Sequence, residues 1–281
     1  MTQQNKQLKI SILDVGHGDF IYSETPFGHR LIIDCGSGDV VPSIFLSKVS
    51  TIDELQISHP HEDHFSDIAA ISKKVIRSFR CPPLGQFSDE VIGWRHLDKV
   101  KINILRKLQQ TIATSNEAVS VGNGFNHIVL YPNAADIDSE DPNSASFLTI
   151  LQYGAFKILF GADLTTNGWE AILKNPNVVA LIKGTTVYKV SHHGREIGCS
   201  PELFNLIKPA LCIISDKPID STNENTESIN WYSSQSSGCK VITKAGPSVT
   251  RRVLTTRNDG SIHLVVNPDG RWYCHSQTSW I

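Results

Sequence analysis

Along the first part of the chain, apolar and polar positions alternate with a period of two. In Leu8-Lys9-Ile10-Ser11-Ile12 the three apolar side chains share one face of an extended segment. Residues 8–35 therefore read as strands: a first one ending at the turn after LDVG, then FIYS and LIID joined through Phe27-Gly28-His29-Arg30. ELQIS, residues 54–58, is a further short strand. The period then changes. Phe65, Ile68, Ile71 and Val75 are spaced for one face of a helix, and residues 84–120 read mostly as helix, most clearly in ILRKLQQTIATS.

Strands return at HIVLYP, SFLTILQYG and FKILFGAD, the last two joined by Tyr153-Gly154-Ala155. Then come a helix (GWEAILKN), a strand (VYKVS), a helix (PELFNLIK), a strand (ALCIIS) and a helix (TESINWYSSQ). RRVLTTRNDGSIHLVV followed by NPDGRWYCH reads as a terminal hairpin. Strands recur throughout and helices are dispersed among them. That order predicts an α/β chain built as an αββα four-layer sandwich, two packed sheets with helices outside. No linker rich in Gly, Pro or Ser divides the chain, which reads as one domain over 1–281 with residues 1–7 as a disordered polar tail.

Composition narrows the partners. With a net charge of −2, the chain lacks the overall basic excess of a protein that grips nucleic acid through its phosphates, so any polyanion contact needs a local patch. One candidate is residues 73–107. They hold Lys73, Lys74, Arg77, Arg80, Arg95, Lys99, Lys101, Arg106 and Lys107 against Asp89, Glu90 and Asp98; the plain alternative is a solvated helical face. Asp136, Asp138, Glu140 and Asp141 form an opposing acidic loop. No apolar run approaches the roughly 20 residues of a membrane span, and no signal-peptide pattern opens the chain. The expectation is a cytoplasmic protein with no membrane contact. Six scattered cysteines without a CxxC pair read as reduced thiols.

Three segments carry chemistry. His59-Pro60-His61-Glu62-Asp63-His64 sets His59, His61, Asp63 and His64 within six positions directly after a strand. Imidazole and carboxylate together suit zinc and similar divalent metals. His59 and His61, two apart, share one side of an extended backbone, while Asp63 and His64 serve a second direction, so the spacing suits two neighbouring ions better than one cage. A polar loop with Asp63 as a helix cap is the structural alternative. Asp163 follows the strand FKILF and His192-His193-Gly194 follows VYKVS. Alone, Asp163 reads as a turn residue or cap, and one of the two histidines as a core residue.

Together these segments resemble the metallo-β-lactamase superfamily: an HxHxDH signature, a later strand-end aspartate and a last strand-end histidine. The competence-type domain of bacterial DNA-uptake channel proteins is the variant that LDVGHGDFIY, LIIDCG, SHPHEDHFSD, DPNSASFLTILQYGAFKILFGADL, VYKVSHHG and NDGSIHLVVNPDGRW resemble. The likeness spans residues 8–273 and is weakest over 73–125. It implies a metallo-β-lactamase fold and a hydrolase that uses a metal-bound hydroxide, because a divalent cation lowers the pKa of bound water to about 7. It implies that His59 and His61 hold one ion; that Asp63, His64 and a histidine of the 192–193 pair, His192 preferred, hold the second; and that Asp163 bridges. Asp63 would also orient the water. The cofactor expected is zinc, as one or two ions, with manganese as the other choice.

Two departures stand out. Asp141-Pro142-Asn143-Ser144 lacks the further histidine of many dinuclear members, leaving His59, His61 and Asp163 at the first position. The segment after ALCIIS also lacks a histidine, with Asn223 or Asn225 as a substitute donor. Arg195 is placed to touch a substrate anion. The resemblance favours a phosphodiesterase or nuclease acting on DNA. The alternatives are a hydrolase of a small ester, lactone or phosphorylcholine-type substrate, and a non-catalytic metal-stabilised module that docks a protein partner, as in a multi-component bacterial system.

Overall fold

Strict alternation makes strands whose two faces enter different cores, and that sorting builds the molecule. The computed structural model describes residues 7–36, 47–92, 98–114, 122–217, 229–243 and 246–277. Its strands are β1 (Leu8–Ile12), β2 (Phe20–Glu24), β3 (Arg30–Cys35), β4 (Thr51–Ile52), β5 (Glu54–Gln56), β6 (Val75–Ile76), β7 (Phe79–Arg80), β8 (Phe125–Leu130), β9 (Leu148–Tyr153), β10 (Phe156–Phe160), β11 (Val187–Lys189), β12 (Leu211–Ile214), β13 (Cys239–Thr243), β14 (Gly246–Arg251), β15 (Val253–Thr255), β16 (Ser261–Val266) and β17 (Trp272–Gln277). One sheet runs β14-β13-β17-β16-β1-β2-β3-β5-β7 and the other β15-β12-β11-β10-β9-β8; β4 and β6 form a separate pair.

Between the sheets, Ile10, Ile12, Ile21, Leu31, Ile33 and Leu264 from the first meet Leu151, Phe156, Ile158, Val187, Leu211 and Ile213 from the second. The alternate positions Phe20, Ile32 and Leu55 turn outward, under Phe65, Ile68, Ile71, Ile102 and Leu105 of the helices on that side. Ile150, Leu159, Tyr188, Cys212 and Ile214 pack beneath Trp169, Ile172, Ile182, Phe204 and Tyr232 on the other. Each buried Leu, Ile or Phe side chain contributes about 1.5–3 kcal/mol by leaving water. The layers are helix, sheet, sheet, helix: the αββα sandwich expected.

Some local expectations change. The helix over Phe65–Val75 is two short turns, Glu62–Phe65 and Ile68–Ile71, and Val75 begins β6 with its side chain 61% exposed. The clear helix of the following region spans Lys99–Thr111, N-capped by Asp98, whose carboxylate accepts from the amides of Val100 and Lys101. RRVLTT does not pair with SIHLVV. β15 lies parallel to β12 in the second sheet, the helix Thr256–Asp259 carries the chain across, and β16 pairs with β17 and β1 in the first. Residues 1–6 of the expected tail, Arg95, Asn223 and Asn225 lie outside the described residues.

Strand direction places the site. β3 and β5 are parallel, and so are β10, β11 and β12. Parallel neighbours bring their C-terminal ends to one edge, where side chains leave the sheet and converge. Asp34 lies at the end of β3, His59 three residues past β5, Asp163 three past β10, His192 three past β11, and Asp216 two past β12. The turn after β1 carries His17 to the same edge. Among the described residues no helix is long and apolar enough to cross a membrane.

Candidate metal centre

The signature turn is held from below. Gly18 and Gly36 both lie against the carbonyl of Asp63; a Cβ would come within 2.4 Å and 1.6 Å of that oxygen, so neither position admits a side chain. Gly18 also has a φ of 132°. Backbone strain gathers at this edge. Asp34, Ala162, His192 and His193 all have φ between 47° and 58°, a conformation that costs a non-glycine residue free energy and is kept where the surroundings over-determine it.

Asp63, His64, Asp163 and His193 bring one donor atom each to within 4.8 Å of one another. Nε2 of His193 is 3.2 Å from Oδ2 of Asp63 and 3.3 Å from Oδ2 of Asp163; Nε2 of His64 is 3.3 Å from Oδ1 of Asp163. These approaches lack the alignment of hydrogen bonds. The buried atoms His64 Nε2, His193 Nε2 and Asp163 Oδ1 have no hydrogen-bond partner among the described residues. Buried polar atoms are normally satisfied, so a converging set of unsatisfied imidazole and carboxylate donors is what a divalent cation would complete. The residues fit the group.

The far side of each ring is anchored. His64 Nδ1 is 2.8 Å from Oδ2 of Asp34, which also accepts from Ser58 Oγ at 2.8 Å. His193 Nδ1 donates to the carbonyl of Ser215 at 2.9 Å. Both contacts put the proton on Nδ1 and turn Nε2 inward, the arrangement seen behind metal-binding histidines. His59, fully buried, has Nε2 3.2 Å from Nδ1 of His61 and 4.0 Å from Oδ2 of Asp163. His59 thus lies between His61 and Asp163, at the side of the first group.

Charge separates the histidines. Burial, with the neighbouring His64, holds His59 well below its ordinary value, and burial also lowers His61, so both are neutral bases. Burial also works against protonated His64 and His193, but the carboxylates around them outweigh it. Asp163, Asp34 and Asp63 hold His64 well above its usual range, and Asp163 with Asp63 pushes His193 up to about 10. Asp63 and Asp163, penalised by burial, are nonetheless held well below the usual carboxylate range, by His64 and His193 in turn.

The expected preference within the His192-His193 pair is reversed. The left-handed turn sends His193 into the cluster, whereas His192 Nε2 lies 3.2 Å from Nη1 of Arg195. Arg195 is at the site and lines its cavity. Several residues here carried no sequence expectation. His17 Nε2 is 3.3 Å from Oδ2 of Asp63, and its Nδ1 is 2.7 Å from the buried Asp216. Gly16-His17-Gly18, a polar residue framed by glycines after a strand, was the available signal. Beneath the centre, the ammonium of fully buried Lys189 pairs with the carboxylate of Asp19.

The centre opens into a cavity of about 750 Å³. His17, His61, Asp63, Asp163, His192 and Arg195 line it together with Glu62, Glu90, Glu140, Asp141, Val91 and Ile197. Glu90 and Glu140 are exposed, so the mouth is acidic. Part of the basic tract is neutralised locally. Arg77 pairs with Asp53, Arg80 with Glu54, Lys101 with Glu62 and Arg106 with Asp89. Four of the nine cations in the expected phosphate-facing tract are thus held by neighbouring carboxylates. All six cysteines are free thiols and none joins the cluster.

No protein-family model matches the chain, and no curated protein sequence does. Solved structures do resemble it. A variant of the β-hydroxylase CmlA is 16% identical with a TM-score of 0.47 over 73% of this chain, which spans 45% of that longer protein. The metallo-β-lactamase fold protein YhfI from Bacillus subtilis is 12% identical with a TM-score of 0.37, covering 79% of this chain and 78% of its own. A Parabacteroides distasonis protein, provisionally named a metal-dependent hydrolase, is 14% identical with a TM-score of 0.39, covering 76% and 86%. These are likenesses of shape, and the chemistry of this chain is read from its own residues.

Proposed function

We propose that the chain is a metal-dependent hydrolase whose substrate is a small phosphodiester or related ester. The observation that carries this reading is the convergence of donor atoms from Asp63, His64, Asp163 and His193 beside an open cavity, with those of His64, Asp163 and His193 buried and lacking a hydrogen-bond partner among the described residues. His59, His61 and Asp163 would hold a cation at one position; Asp63, His64, Asp163 and His193 at the other. A divalent cation supplies Lewis acidity and activation of water when bound to such donors. The chain's own part is positional. Asp34 and the Ser215 carbonyl keep His64 and His193 turned inward, Asp63 presents a carboxylate to orient water, and Arg195 faces an anionic substrate group.

A small substrate is favoured over DNA by charge. A polynucleotide needs a track of unpaired cations, and here the mouth carries Glu90, Glu140 and Asp141 while four of the tract's cations are paired internally. DNA stays as the second reading, supported by the resemblance to competence-type domains. Elemental analysis followed by a zinc and manganese screen on bis(4-nitrophenyl) phosphate, 4-nitrophenyl esters, a lactone and both forms of DNA tests it. Turnover of the small phosphodiester that chelation removes is expected. No turnover of any of these by metal-loaded protein would overturn the proposal, and steeply salt-dependent cleavage of DNA alone would favour the second reading.

A further inference from the structure

Arg195 is gripped by two imidazoles from different loops. Its Nη2 is 2.9 Å from Nε2 of His17 and its Nη1 3.2 Å from Nε2 of His192. A guanidinium only donates, so both ring nitrogens accept. The tautomer of His17 is fixed independently. Its Nδ1 donates to Oδ1 of Asp216 at 2.7 Å, which leaves the Nε2 lone pair facing Arg195. Asp216 is itself fully buried and held: its amide donates to Thr256 Oγ1 at 3.2 Å and its carboxylate accepts from the amide of Lys217 at 2.9 Å. The route of the backbone serves the same end. His192, His193 and Gly194 have φ of 51°, 52° and 75°, and this left-handed run turns Arg195 back over the cavity.

We propose that Asp216, His17 and His192 are positioning residues for Arg195, and that its guanidinium is the subsite for one oxyanion of the substrate, a phosphate or a carboxylate. Among the described residues Arg195 is the one arginine or lysine lining a cavity whose mouth is acidic, which favours a substrate with one anionic group over a polyanion. The existence of this subsite does not depend on hydrolysis; only the identity of its natural occupant rests on the hydrolase reading.

Calorimetric binding of inorganic phosphate and of acetate to the zinc-loaded protein tests it without turnover. Arg195→Ala should weaken binding of the preferred anion about 10- to 100-fold, the usual size of a lost charge-assisted contact. His17→Ala and Asp216→Asn should each weaken it about 5- to 20-fold, with zinc content unchanged by elemental analysis. His17→Gln, which restores an acceptor, should recover most of the loss. The double variant His17→Ala/Arg195→Ala should bind no more weakly than Arg195→Ala alone, because His17 acts through Arg195. The larger loss on phosphate or on acetate identifies the oxyanion. Multiplying losses in the double variant, unchanged binding by Arg195→Ala, zinc loss in His17→Ala, or no anion binding by the wild type would each overturn the proposal. The expected pattern without any hydrolysis would leave the subsite standing and remove the proposed function.

Discussion

Nε2 of His193 lies 3.2 Å from Oδ2 of Asp63, and the two side chains arrive from opposite sheets. His192, its neighbour in sequence, faces Arg195 instead. His193→Ala should therefore reduce bound zinc and lower kcat/KM by more than about 100-fold, beyond the usual outer-shell effect, while His192→Ala keeps its metal. Elemental analysis of the two variants checks this; equal zinc loss in both would show the pair to be misassigned.

Asp34 holds His64 and, through Ser58, reaches the ring of His59 at 3.2 Å. Asp34→Ala should cost about 10- to 100-fold in zinc affinity with little change in the cavity. Competition with a chromophoric chelator measures it, and wild-type affinity would sink the anchoring role.

Metal binding should be linked to protons. In the metal-free protein the carboxylates raise His193 from 6.5 to about 10 and His64 well above its usual range, so both rings are protonated at neutral pH. A raised folded pKa gives stability that is complete below 6.5 and lost as pH climbs through about 10. A cation must displace those protons, so zinc affinity should rise with pH and binding should release protons. Titration calorimetry in two buffers of different ionisation enthalpy should give different apparent heats; identical heats would contradict the assignment.

Lys189 and Asp19 are a buried ion pair directly under the centre. Lys189→Met alone strands a carboxylate and should cost about 3–5 kcal/mol in denaturant unfolding, whereas Lys189→Met combined with Asp19→Leu should recover much of it. Equal loss in both variants would argue that packing, not charge, is at stake there.

The acidic mouth should act on charge at a distance. Glu140→Gln and Asp141→Asn should each raise kcat/KM on an anionic substrate about threefold at low salt and less at high salt. Rates that ignore both substitutions would place these groups away from the substrate path.

The halves of the centre were readable in the chain because their donors follow strands directly. HPHEDH, Asp163 and the His192-His193 pair sit just past apolar runs, where the period itself marks a strand end. What the sequence hides is long-range. His17 finds Asp216 and Arg195 only after β1, β11 and β12 reach one edge, and no local spacing encodes that meeting. The choice between His192 and His193 turns on two positive φ values that two identical residues do not reveal. Counting cations over 73–107 missed Asp53, Glu54 and Glu62, because the partners of Arg77, Arg80 and Lys101 lie outside the counted window. RRVLTT resembled half of a hairpin because alternation records a strand but not which sheet receives it.

Asp63 and His64 belong to one sheet's edge, Asp163 and His193 to the other's. Neither sheet alone presents a complete centre, so a bound cation ties the two together across their shared edge. At a thousandfold excess over its dissociation constant such an ion adds about 4 kcal/mol to the closed sandwich. A chelator should then lower the unfolding free energy of the metal-loaded protein by that amount, so metal occupancy and the closure of the two sheets are thermodynamically linked.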